Sequence, residues 1–218
     1  MLDVLLSLAL NASTPAMPPD GAYTYQTVGQ YSVGTSSIVL KHVGASVQIA
    51  ETTNGTIMGT AATAAATLTL NADLTPASYA GTYTGGGQNI QTIVTFSGAG
   101  ASETFGGTAT TAPTTFALDG ANHFAVIDGA LVSGFAILPA QFTAWANGSI
   151  EVVAPIYGRS AMIAVTAGAG ARPPHVPIVD VGLSVTGSVP FTEWYDPQTL
   201  ILDEVDVPTQ NVTITRTR

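Results

Sequence analysis

The stretch DGAYTYQTVGQYSVGTSSIVLK, residues 20 to 41, decides the fold. Two runs rich in aromatic and β-branched residues, AYTYQTV and YSVGTSSIVLK, flank Gly29-Gln30, a two-residue turn signal, and so predict a β-hairpin. The same pattern continues downstream. ASVQIAET is followed by Asn54-Gly55, another turn signal, and by a Thr/Ala run ending ATLTLNADL. GGGQNIQTIVTFSGAGASETFGGT predicts one strand at Ile90 to Phe96, with its glycine clusters as turns. No Lys follows those glycines and no helical pattern opens after them, so neither phosphate-loop motif is met.

One segment has helical period. In NHFAVIDGALVSGFAILPAQF, Phe124, Ile127, Leu131, Phe135 and Leu138 recur every three or four residues, which predicts a helix over about 122–138. Asn122 would cap it and Pro139 would stop it, while Gly129 and Gly134 weaken it by about 1 kcal/mol each. A second block of strands follows in SIEVVAPIYG, RSAMIAVTAGAG and VPIVDVGLSVTG. The proline-rich ARPPHVP between them reads as a loop.

The chain closes on TEWYDPQTLILDEVDVPTQNVTITRTR, residues 192 to 218, where charge concentrates. Only 9% of the 218 residues are charged, yet Glu193, Asp196, Asp203, Glu204 and Asp206 fall here, beside Trp194 and Tyr195. Asp196-Pro197 opens a type I turn, so strands near Val189 to Tyr195 and Thr199 to Val207 form a hairpin. Strand alternation puts Glu204 and Asp206 on one face and Asp203 on the other. The carboxylates therefore read as the charged, solvated edge of a departing strand rather than a catalytic pair. Trp194 is the residue there large enough to anchor a core or a cavity.

Composition narrows the functional classes. A net charge of −9 with five Lys and Arg leaves no cationic patch for phosphates, so nucleic acid is not an expected partner. Absence of cysteine removes disulfides and thiolate chemistry. His42, His123 and His175 are far apart and lack metal-ligand spacing, and no EF-hand loop is present, so no metal and no cofactor are expected. No G-x-S-x-G elbow is present. Asp128-Gly129 and Asp180-Val181 lack the Thr or Ser that follows the catalytic Asp of aspartic proteases. Turn or helix positions are the simpler reading of both.

The apolar run from Val4 to Leu10 and the small, Pro-rich residues after it have the form of an export signal without its positive start. Residues 1–19 are expected to be a signal-like or flexible segment and 20–218 one β-rich domain, periplasmic or secreted. No run reaches the ~20 apolar residues of a spanning helix. The ending TITRTR lacks the aromatic girdle of a membrane barrel. Asn11, Asn54, Asn147 and Asn211 stand in N-x-S/T form, relevant only in a glycosylating host.

The export-like start, the opening hairpin, the mid-chain apolar segment and the closing EWYDPQTLILDEVDVPTQNVTITR together resemble bacterial envelope proteins of the LolA/LolB lipoprotein-carrier type. The resemblance implies a mainly β fold, a single curved antiparallel sheet or half-barrel whose concave face is covered by helix. It also implies an apolar ligand or lipid, with envelope proteins as further partners. The ligand-lining residues would then be Phe124, Ile127, Leu131, Phe135, Leu138 and Trp194, in a cavity or in a sealed core. The alternatives are a structural or interaction domain and a divergent aspartic-type hydrolase using Asp128 and Asp180.

Overall fold

The computed structural model describes residues 16–30, 32–98, 100–109, 111–117, 123–129, 131–145 and 148–217. The export-like segment before residue 16 and Asn122 lie outside them. Fifteen strands form one sheet. In chain order they are β1 (Gly21–Gly29), β2 (Ser32–Val43), β3 (Ser46–Ile57), β4 (Thr60–Leu70), β5 (Pro76–Gly85), β6 (Gln88–Ser97), β7 (Gly100–Gly107) and β8 (Thr114–Ala117). After them come β9 (Phe124–Val126), the helix α1 (Ser133–Trp145), β10 (Ser149–Ala154), β11 (Arg159–Ala167), β12 (Val181–Thr186), β13 (Phe191–Tyr195), β14 (Leu202–Val207) and β15 (Val212–Thr217).

Strands β1 to β8 form one antiparallel meander and β10 to β15 a second. The two join where β1 pairs antiparallel with β15. β9 pairs parallel with β10, so the free edges of the sheet are β8 and β9. The sheet is curved and not closed. Its β9 edge curls inward until Phe124 packs on Phe96 of β6, with ring centroids 5.7 Å apart.

Several sequence expectations shift in register. Asn54-Gly55 is not a turn: both lie inside β3, paired with Thr35 and Gly34. The turn falls at Met58-Gly59, whose positive φ values (51° and 76°) suit a tight hairpin. Gly55 is glycine for another reason, since a Cβ there would overlap the Val33 carbonyl on β2. The glycine-rich GASETFGG is the strand β7 rather than a loop.

The helix is displaced as well. Phe124–Val126 forms β9, not the first helical turn, because these three buried residues complete a parallel pair with Glu151, Val152 and Val153. Pro139 does not stop α1 but sits within it. It forfeits one backbone hydrogen bond, and burial of Phe135, Ile137, Leu138 and Ala140 around it outweighs that loss.

The start of α1 is held by a side chain from the sheet. The Glu51 carboxylate on β3, almost fully buried, accepts hydrogen bonds from the Val132 N–H (2.8 Å), the Ser133 N–H (2.7 Å) and the Thr53 hydroxyl (2.9 Å). It answers the unpaired donors and positive dipole end of a helix that lacks an acidic residue in its own first turn. At the far end, Gln141 donates to the Leu74 carbonyl (3.0 Å) and Trp145 to the Asp73 carbonyl (2.8 Å). The helix, ~20 Å long at 1.5 Å per residue, is thus fastened inside the curve at both ends.

Candidate functional site

The inward-facing residues of the first meander change size along the strands. At one end of the sheet, Leu40, Ile49 and Leu68 lie in register, Val47 and Leu70 pair beside them, and all pack as buried core with α1. At the other end the same ladders carry Gly34, Gly55 and Ala62, then Ser36, Thr53 and Ala64. Large side chains fill one half of the curve and small ones leave the other half open. Glu51 stands at the boundary, where α1 begins.

The open half is a basin of about 890 Å³. Its lining includes Gln30, Ile57, Tyr83, Gln88, Tyr157, Gln210 and Asn211, and among the described residues it has no Asp, Glu, Lys, Arg or His. Two arms share its Gly129, Gln210 and Val212. The first, about 100 Å³, runs between the small residues of β2 to β4 and Leu131 and Val132. The second, about 180 Å³, runs under β10, β11 and β13 to β15, lined by Val152, Ile163, Phe191, Val207 and Ile214. Concave apolar space with a few polar groups at its mouth is the usual form of a small-molecule site.

The six residues expected to line a cavity divide. Leu131 borders the first arm, and Ile127 and Phe135 border the second, where Phe135 meets Phe191 edge-on at 5.2 Å. Phe124 is taken up by its contact with Phe96, and Leu138 is sealed in the core. Trp194 does not join them: it lies on the outer face of β13 beside Gly182 and Glu204 and is separate from the main core. The loop 168–180 closes over that face, with Ala169 against Gly182 and His175 paired with Glu204. Lining residues that periodicity did not single out are Tyr83, Tyr157, Gln210 and Val212. The readable signal was the run of Ala and Gly in β3 and β4.

The acidic cluster is not a solvated edge. β14 sits between β13 and β15 within the sheet, and Glu193, Asp203 and Glu204 are buried because helix and loop cover its two faces. Asp203 lies against Arg216 (3.3 Å) and Glu204 faces outward, but a register shift against β13 skips Asp203, so the alternation breaks there and Leu202 joins the interior core rather than the Glu204 face. The Asp196 turn also forms as expected, its carboxylate accepting from the Gln198 N–H at 2.8 Å. Glu193 points inward with both carboxyl oxygens lacking a hydrogen-bond partner among the described residues, and burial pushes its pKa well above the ordinary range.

A second acidic group lies at the open half. Tyr79 donates to Asp128 at 2.7 Å, and Thr92 donates to Glu103, whose other oxygen is buried without a hydrogen-bond partner among the described residues. Burial first, and then the charge of Asp128, raise Glu103 to about 7. Asp128 cannot form a protease dyad with Asp180. It follows β9 at one end of the sheet, whereas Asp180 precedes β12 at the opposite end, three strands away.

Fold and concavity define an open, barrel-like β-sheet protein with an interior helix and a basin from which two mainly apolar arms run. No family model and no curated protein matches this sequence. The fold is similar to the crystal structure of a beta-barrel-like protein of the domain of unknown function DUF1849 from Brucella abortus. The identity is 8%, the TM-score is 0.57, and 93% of this chain and 96% of that one are covered. No helix among the described residues is long and apolar enough to cross a membrane.

Proposed function

We propose that this chain is a binding or carrier protein for a lipid or other apolar ligand, acting by non-covalent capture in the periplasm or outside the cell. The observation that carries this reading is the half-filled curve, in which α1 seals one end while glycine, serine and alanine keep the other end open to the basin and its arms. A sheet under selection only for stability would fill that volume, since interiors pack to high density and each void costs stability. The resemblance to LolA/LolB-type carriers, which pair a curved sheet with a covering helix, supports the same reading. The export-like run at Val4 to Leu10 supports the compartment.

Native mass spectrometry of the protein purified from an envelope or secreted fraction tests the proposal. An adduct of lipid mass at one per chain is expected, with release on organic extraction. A bare mass, together with no uptake of fluorescent lipid by the stripped protein, refutes it. An interaction role has one observation in its favour, the exposed Ile178 and Val179 beside Val181 on the outer loop. Capture of an envelope protein that is lost on changing Ile178 and Val179 to Ser would support that role.

A further inference from the structure

The second arm is lined mainly by apolar side chains, and Arg159 is the one full cation among its described lining residues. Arg159 opens β11 on the same face as Ala161 and Ile163, which line the arm further in. Its guanidinium lies 5.0 Å from the centre of the Tyr157 ring, and Tyr157 lines both the arm and the basin. That cation–π contact holds the charge where basin and arm meet.

No ion pair to Arg159 is present among the described residues. The remaining described Lys and Arg are placed elsewhere. Arg216 pairs with Asp203, Arg172 donates to the Val176 carbonyl on the outer loop, and Lys41 is exposed on β2 near the helix-sealed end. In a chain of net charge −9, an unpaired arginine over an apolar slot calls for an anion. Among the described residues the basin carries no charged side chain, and Asp128 acts on Tyr157 in the sense opposite to Arg159. An anionic group is therefore favoured at Arg159 and disfavoured deeper toward Asp128. An arm of about 180 Å³ falls below the ~300–1,000 Å³ of sites for drug-sized molecules, which limits it to part of one chain.

We propose that the ligand is a single-chain amphiphile with a carboxylate head, of the long-chain fatty acid class, whose head pairs with Arg159 while its chain enters the arm lined by Phe135, Ile163, Phe191 and Ile214. This rests on the carrier reading above. Arg159 confers the preference for acid over neutral lipid, and the apolar lining supplies affinity common to both.

The probes are cis-parinaric acid and its methyl ester, titrated by fluorescence at pH 8 into delipidated protein. Binding of the acid about 10- to 100-fold tighter than the ester is expected, as for a hydrogen bond to a charged group, and the preference should shrink with added salt. Arg159→Gln should abolish the preference while keeping the ester affinity, and Arg159→Lys should restore part of it. Equal binding of acid and ester by the unchanged protein, or a preference that survives in Arg159→Gln, overturns the role of Arg159 and leaves the carrier reading standing. Failure of both probes to bind overturns the carrier reading and this proposal with it. Arg159 is exposed, so far-UV circular dichroism of the variants should match the unchanged protein.

Discussion

Replacing Glu51 tests how the helix is held inside the sheet. In Glu51→Ala the Val132 and Ser133 N–H groups and the Thr53 hydroxyl lose their acceptor in a region where Glu51 itself is 2% exposed. A buried donor left unpaired costs about 1–3 kcal/mol, and loss of a carboxylate at a helix start adds up to ~2 kcal/mol. Water can reach the site from the first arm, which Val132 lines, and this offsets part of the penalty. The expected loss is about 2–4 kcal/mol, or roughly 5–15 °C in Tm for a chain of this size. Urea unfolding followed by circular dichroism measures it. Glu51→Gln keeps an acceptor oxygen and the side-chain shape, so about half the effect is expected. Loss of lipid uptake should accompany both, because Leu131, Val132 and Phe135 border the arms. A Glu51→Ala protein within about 1 kcal/mol of the original would refute the capping argument.

Other expectations concern the remaining buried acids. Glu103, raised to about 7 in the folded protein from an ordinary 4.5, favours the folded state in its neutral form. That contribution is full below about pH 4.5 and is lost as pH rises through about 7, so the urea midpoint should fall over this window and Glu103→Gln should flatten the fall. Glu193 has no hydrogen-bond partner among the described residues to lose, so Glu193→Met should stabilise the protein by about 1–3 kcal/mol at pH 8, and an unchanged or lower midpoint would contradict its isolation. His175→Ala strips Glu204 of its partner beneath the outer loop and should cost about 1–3 kcal/mol. Trp194 emission should shift to the red as the loop loosens; an unmoved spectrum would show that the pair does not hold it.

Much of the sheet was legible because its signals are local. The Gly29-Gln30 hairpin and the Asp196 turn are each specified by adjacent residues. Asn54-Gly55 misleads because glycine serves two purposes, and only the approach of Val33 from β2 separates them. The spacing from Phe124 to Leu138 fits a helix along its whole length, yet pairing with β10 claims the first three residues for a strand. Leu131, Ile127 and Phe135 reached the arms through that same pattern, whereas Trp194 faces outward because alternation in β13 sends Phe191 and Glu193 inward. Burial of Glu193, Asp203 and Glu204 could not be read from charge, since it depends on a helix and a loop distant in sequence covering the two faces of one hairpin. Arg159 gave no local signal, and its meaning comes from what surrounds it.

The adjacency of β1 and β15 has a consequence for connectivity. Read from β9 through β15 and on through β1 to β8, the sheet runs in one unbroken cyclic order, and its edges are two strands consecutive in the chain. A circular permutant that links residue 217 to residue 21 and opens between Ala117 and Phe124 would turn the longest-range pairing, Thr24 with Thr217, into a hairpin. Relative contact order would drop without a single native contact being changed. Such a permutant should refold faster than the parent at similar stability, with the basin intact as a control on its geometry.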